Sequence, residues 1–172
     1  YFFNKKFNLP FVTAKIAISK DYFTINKRSK WITNKHSQKV THLLRSKYDC
    51  IFSTSKTINN DNALLNCRLD GFNINKPDLI IIDLKLSIKT NLNIFNTATK
   101  RKILIVTSIK KNKKIVYLKK KGVKFIFLNS LFYGEDFFKL FKNLKKKGFN
   151  RILVESGLKF LNELLKNKII SN

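Results

Sequence analysis

Two short runs, DLIIID (Asp78–Asp83) and KILIVT (Lys102–Thr107), are apolar at every interior position. A strand with one wet face alternates apolar and polar residues. A strand apolar on both sides needs cover on both, as inside a parallel sheet layered between helices. The rest of the chain alternates in the same spirit. FVTAKIAIS (Phe11–Ser19) is β-branched and apolar and reads as a strand, as do DCIFST (Asp49–Thr54), VKFIFLN (Val123–Asn129) and RILVE (Arg151–Glu155).

Helical segments lie between these runs. Thr33 or Asn34 can cap a helix through about Lys47, with Val40, Leu43, Leu44 and Tyr48 on one face. Lys110 to Lys121 reads as a basic helix closed by Gly122. In GEDFFKLFKNLKKKG, Phe137, Phe138, Phe141 and Leu144 form an apolar face, acids occupy the first turn, and lysines with Gly148 end it. A last helix runs from Leu158 to about Lys166. Thr54 to Arg68 is irregular or a single helical turn, and Ile169-Ile170 reads as the approach to a further strand. The fold class is α/β, one domain with a largely parallel sheet flanked by helices.

The chain has 172 residues and a formal charge of +26. Such an excess ordinarily points to a polyanionic partner. Here it is nearly all lysine, spread along the chain and accompanied by abundant Asn, Ile and Phe. That pattern fits drift toward A- and T-rich codons better than a dedicated nucleic-acid surface, and it still favours phosphorylated ligands. No run reaches the eighteen or so apolar residues of a membrane span, and YFFNKKFNLPF lacks the apolar core of a signal peptide. With no Met anywhere, the chain reads as a piece of a longer polypeptide. Two cysteines, Cys50 and Cys67, make neither a metal cage nor a disulfide framework and read as buried or incidental thiols in a reducing cytoplasm.

Four constellations invite a chemical reading. In VESGLKFLNELL a strand ends in Glu155, turns at Ser156-Gly157 and enters a helix, whose free N–H groups suit a phosphate; a plain turn with a solvated glutamate is the alternative. Thr57, Asp61, Leu65 and Arg68 are spaced four, four and three apart and share a face if the segment is helical; otherwise they belong to a surface loop. Arg45 offers the planar fork that suits phosphate, or a solvated helix end. His36 and His42, six apart, have no acid or cysteine at ligand spacing, so no metal site is expected.

Taken together, LPFVTAKIAISKD, SKWIT, HLLRSKYDCIFSTSKTINNDNALLNCR, DLIIID, RILVESG and LNELL resemble the reductase domain of the bifunctional riboflavin-biosynthesis deaminase–reductase, in the family's order and spacing. The resemblance implies a dihydrofolate-reductase-like fold and NADPH-dependent reduction of 5-amino-6-(5-phosphoribosylamino)uracil at ribose C1′. It implies cofactor contacts at Ala17 on the first strand, Trp31, Thr57, Asp61, Gly157, Leu158 and Lys159, and substrate contacts at Ser29, Arg45, Leu65, Arg68 and Glu155, with Asp61 the proton-transfer candidate. It further implies a junction over residues 1–10 to a preceding deaminase domain, a reductase domain over 11–172 with more strands to follow, a possible homodimer, and no specific nucleic acid or membrane partner. Where the family has glycine after the first strand stands Tyr22, its Asp-Asp-Pro is Asp61-Asn62-Ala63, its glycine-rich turn is Ser156-Gly157, and a serine often found after the middle strand is Leu84. These differences leave a catalytically weak relic as one alternative, and the net charge leaves a basic nucleic-acid-binding domain as another.

Overall fold

The computed structural model describes residues 8–24, 32–72 and 77–171. The two doubly apolar runs lie inside a six-stranded sheet whose pairings are all parallel. In chain order the elements are β1 (Phe11–Ala14), α1 (Lys35–Ser46), β2 (Cys50–Thr54), α2 (Ser55–Asp61), β3 (Asp78–Ile82), a 3-10 turn (Asn93–Thr97), β4 (Ile103–Thr107), α3 (Lys113–Lys120), β5 (Lys124–Phe127), α4 (Gly134–Lys146), β6 (Arg151–Val154) and α5 (Leu158–Lys166). The sheet order is β1-β6-β2-β3-β4-β5.

The period of two along each strand sorts the core into two layers. Cys50, Phe52, Ile80, Val106, Ile152 and Val154 face α4 and α5, where Phe137, Leu140, Phe141 and Leu144 meet them. Ile51, Leu79, Ile81, Ile103 and Ile105 face the other way, against Ile58 of α2, the 3-10 turn, and Ile115 and Leu118 of α3. Each fully buried residue of this size contributes about 1.5–3 kcal/mol. α1 lies on the α2 side, joined to the 62–68 loop by Arg45 and His42.

Several expectations are corrected. The strand predicted over Phe11–Ser19 stops at Ala14, because its partner β6 ends opposite at Val154. Ala17 therefore lies beyond the strand, and Ile16 and Ile18 are exposed. The segment after Thr54 is two turns of helix, capped by the Thr54 side chain and ended by Asn62 in the left-handed region at φ 44°. α1 starts where Asn34 accepts a hydrogen bond from the Ser37 amide, but its Val40 and Leu43 are exposed. In α4 the half-exposed Phe138 cedes its expected place to Leu140. Gly122 closes α3 at φ 88°, as the sequence suggests. At the far end, the Ser171 amide donates to the Val12 carbonyl at 2.7 Å, so the tail runs along the outer edge of β1.

β6 enters the sheet between β1 and β2. β2 leaves into α2 on one side of the sheet, whereas β6 leaves into α5 on the other. Neighbouring strands whose connections part in this way open a crevice at their carboxyl ends, where ligands of open α/β sheets bind.

Candidate active site

The crevice beyond β6 begins at Glu155, the first residue after the strand. Its amide donates to the Phe52 carbonyl at 3.0 Å, and its carbonyl accepts from the buried Ser53 hydroxyl at 2.6 Å. The backbone at this point is thereby fixed to β2. The Glu155 carboxylate faces α1 and takes a bidentate pair from Arg45, Nε to Oε1 at 2.7 Å and Nη2 to Oε2 at 2.9 Å. Both side chains are close to nine-tenths buried, at 12% and 10% exposure. Two further ion pairs among the described residues, Lys139–Glu135 and Lys166–Glu163, lie on the wet faces of helices.

Arg45 has a third bond, from Nη1 to the Asn66 carbonyl at 3.2 Å. The same carbonyl meets His42 Nδ1 at 3.0 Å, and the Asn66 side-chain oxygen accepts from Arg68 Nη1 at 2.7 Å. Asn66 thus gathers His42, Arg45 and Arg68 beside Glu155. Burial first, then the Arg45 and Arg68 guanidinium groups, hold the His42 imidazole below its ordinary value.

The loop that carries Asn66 is itself held from beneath. Leu65 is buried in the left-handed region at φ 46°. Arg101, also buried, donates to the Leu65 carbonyl at 2.6 Å, to Pro77 at 3.1 Å, and to Leu64. Burial brings the Arg101 guanidinium down to about 10, so it stays charged at neutral pH. A second buried anchor is Asp83, at the end of β3. Its carboxylate accepts from the Ser55 hydroxyl at 2.9 Å, the Ser87 amide at 2.8 Å, the Ser87 hydroxyl at 2.9 Å and the Ile88 amide at 2.8 Å. This fixes the start of α2 at the edge of the crevice.

The sequence-predicted residues fall into three groups. Arg45, Leu65, Arg68 and Glu155 converge around Asn66. Thr57 and Asp61 lie near the start and at the end of α2, which follows β2, the strand beside β6, with Thr57 Oγ1 3.1 Å from Thr54 Oγ1 and Asp61 exposed. Because α2 ends at Asp61, Leu65 and Arg68 do not continue the helical face that their spacing suggested. Gly157 is the N-cap of α5, followed by the exposed Leu158 and Lys159, and Ala17 lies past the end of β1. Ser29 and Trp31 lie outside the described residues.

Sequence reasoning missed Asn66, Arg101 and Asp83, and weighed His42 only as a metal ligand. One signal was available for Arg101. It is one of five arginines in a chain of 31 lysines, which singles out a site that lysine cannot fill. Cys50 and Cys67 are free and buried, and burial pushes the Cys50 thiol well up. Among the described residues no cluster of His, Cys, Asp and Glu could hold a metal ion, and no helix is long and apolar enough to cross a membrane.

Comparison with known proteins gives a consistent result. The model of the RibD C-terminal domain family matches residues 10–172. The riboflavin biosynthesis protein RibD of Aquifex aeolicus is 31% identical over 159 residues, which are 91% of this chain and 43% of that protein. Its counterpart from Buchnera aphidicola is 31% identical over 175 residues, covering 95% of this chain and 46% of the relative. The chain thus spans less than half the length of these curated relatives. Among solved structures, RibD of Acinetobacter baumannii superposes with a TM-score of 0.78 at 19% identity, over 94% of this chain and 44% of that one. The riboflavin biosynthesis reductase of Saccharomyces cerevisiae gives 0.72 at 25% identity, over 99% of this chain and 77% of that one. The fold is dihydrofolate-reductase-like, and the chain belongs to the RibD C-terminal domain family.

Proposed function

We propose that the chain is an NADPH-dependent reductase that converts 5-amino-6-(5-phosphoribosylamino)uracil into 5-amino-6-(5-phosphoribitylamino)uracil. The observation that carries this reading is the Arg45–Glu155 pair and its Asn66–Arg68 extension at the switch point of the sheet. A phosphorylated sugar on a pyrimidine needs fixed cations for its phosphate and a fixed acceptor for its N–H and O–H groups. Arg45 and Arg68 supply the former and Glu155 the latter, while Leu65 and Ser29 complete the substrate contacts. Family membership supports the same assignment. The length of the curated relatives fits a deaminase domain in the same polypeptide, and we place the enzyme in the cytoplasm.

The turn into α5 fits the phosphates of a dinucleotide. Gly157 offers no side chain, a Cβ there would meet nothing within 4 Å, and the adjoining Ser156 Oγ is buried with no hydrogen-bond partner among the described residues. The N–H groups that open a helix are short of acceptors, and an anionic oxygen would satisfy them. Gly157, Leu158, Lys159, Thr57 and the Ala17 backbone would hold the cofactor, whose nicotinamide supplies a hydride for C1′ of the opened sugar. Trp31 excludes water from the nicotinamide, and Asp61 holds the proton that the reduced centre takes up.

The test is loss of nicotinamide absorbance with the deaminated phosphoribosylaminouracil. Oxidation is expected, with strong loss of turnover in Asp61→Asn and Arg68→Ala. No oxidation by the longest natural form of the chain, with salt-sensitive nucleic-acid binding in its place, overturns the reading. Ligand binding without turnover identifies a relic.

A further inference from the structure

His42 and Arg45 are one turn apart on α1 and share a face. Both reach the Asn66 carbonyl, His42 through Nδ1 at 3.0 Å and Arg45 through Nη1 at 3.2 Å. A carbonyl can only accept, so the ring carries its hydrogen on Nδ1 and keeps a lone pair on Nε2. Among the described residues, Nε2 has no hydrogen-bond partner. The charged groups that act on the ring are Arg45 from its own helix, Arg68 from the loop after α2, and Glu155 from the end of β6. Glu155 is committed bidentately to Arg45. His42 is thus a neutral base within the field of two guanidinium groups, one of them already paired with the Glu155 carboxylate.

We propose that His42 is a third ligand of this anion pocket and takes up a proton when a phosphate dianion binds there. The proposal rests on the reading that Arg45 and Arg68 receive the phosphate of the substrate. A dianion adds two negative charges where the free protein has an excess of positive charge. An opposite charge within hydrogen-bonding range favours the imidazolium. Protonation then turns Nε2 from an acceptor into a donor, able to make a charge-assisted bond to the phosphate. The neutral resting state spares the free pocket a third like charge. The pocket therefore discriminates by ligand charge, favouring a phosphate monoester over a diester or an unphosphorylated sugar.

The experiment is calorimetric titration with ribose 5-phosphate in buffers of different ionisation heat. At about pH 7.5 the second ionisation of the ligand, near 6, is already complete. Wild type is expected to take up a substantial fraction of one proton per ligand bound. His42→Asn keeps an N–H donor for the Asn66 carbonyl and is expected to bind several-fold more weakly with no proton uptake. The His42 ring resonances should move toward imidazolium on titration, while those of the exposed His36 stay put. Binding with neither proton uptake nor a His42 shift overturns the proposal and leaves the pocket standing. Proton uptake that persists in His42→Asn also overturns it. No binding of ribose 5-phosphate by wild type overturns both the proposal and the pocket.

Discussion

Glu155→Gln probes the site at the point where structure and function meet. The change preserves shape but removes the charge that Arg45 faces at 2.7 and 2.9 Å. Removing one partner of a buried ion pair costs about 3–5 kcal/mol, because the survivor is left charged and unpaired. These side chains retain 12% and 10% exposure, which sets the expectation at the lower end, about 3 kcal/mol. For a chain of this size that is a fall in Tm of roughly 6–12 °C, read by thermal melting at fixed pH and salt. Replacing both partners with apolar residues, as in Arg45→Met with Glu155→Leu, leaves no orphan charge and should recover most of the loss. The same Glu155→Gln protein should bind inorganic phosphate more tightly than wild type, since Arg45 is no longer neutralised, while turnover falls. A Tm shift under about 2 °C, or a double variant as unstable as the summed singles, would refute the reasoning.

Four other outcomes are expected. Asp83→Ala strips the acceptor from two backbone amides and two hydroxyl groups and should cost about 2–6 kcal/mol in urea unfolding, at about 1–3 kcal/mol for each of the two buried donors, the Ser55 hydroxyl and the Ile88 amide. Arg101→Ala releases the carbonyls of Leu64, Leu65 and Pro77 and should raise KM for substrate more than it lowers kcat, with Arg101→Lys restoring little. Gly157→Ala meets open space at a backbone φ of −69° but puts a poor N-cap residue there, so stability should fall by only about 0.5–1 kcal/mol, while NADPH affinity drops if the phosphates approach that backbone. His42 is held below its unfolded value near 6.5, so the unfolded chain binds its proton first; stability is full above that pH and falls as pH drops below it, a loss that His42→Asn should lack.

The sheet interior was legible because apolar runs on both faces admit few solutions, and Leu158–Lys166 falls where the sequence placed it. What the sequence hid depends on partners. β1 is short because β6 is short, not because Lys15 to Ser19 disfavour a strand. Val40 and Leu43 form an apolar stripe on α1 that stays exposed. At the site, spacing placed Thr57, Asp61, Leu65 and Arg68 on one helical face. The fold brings Leu65 and Arg68 to Arg45 and Glu155 through a left-handed residue and a buried arginine instead. Asn66 was invisible because it holds Arg45 and His42 through its backbone carbonyl, a group every residue carries. The family motif, read as an ordered whole, named Arg45, Leu65, Arg68 and Glu155 together, which spacing alone did not.

The place of β6 has a kinetic consequence. β2, β3, β4 and β5 pair with one another in chain order and can zip together early, whereas β6 comes last and must enter between β1 and β2, pairing with both. Such a non-local pairing is slow to form, and during synthesis it must wait until Arg151–Val154 has emerged. Glu155 arrives with that strand, so the Arg45–Glu155 pair is expected to form late in folding and to open early in unfolding. If the proposed substrate binds across Arg45 and Glu155, it should hold the late strand in place and lengthen the lifetime of the folded chain.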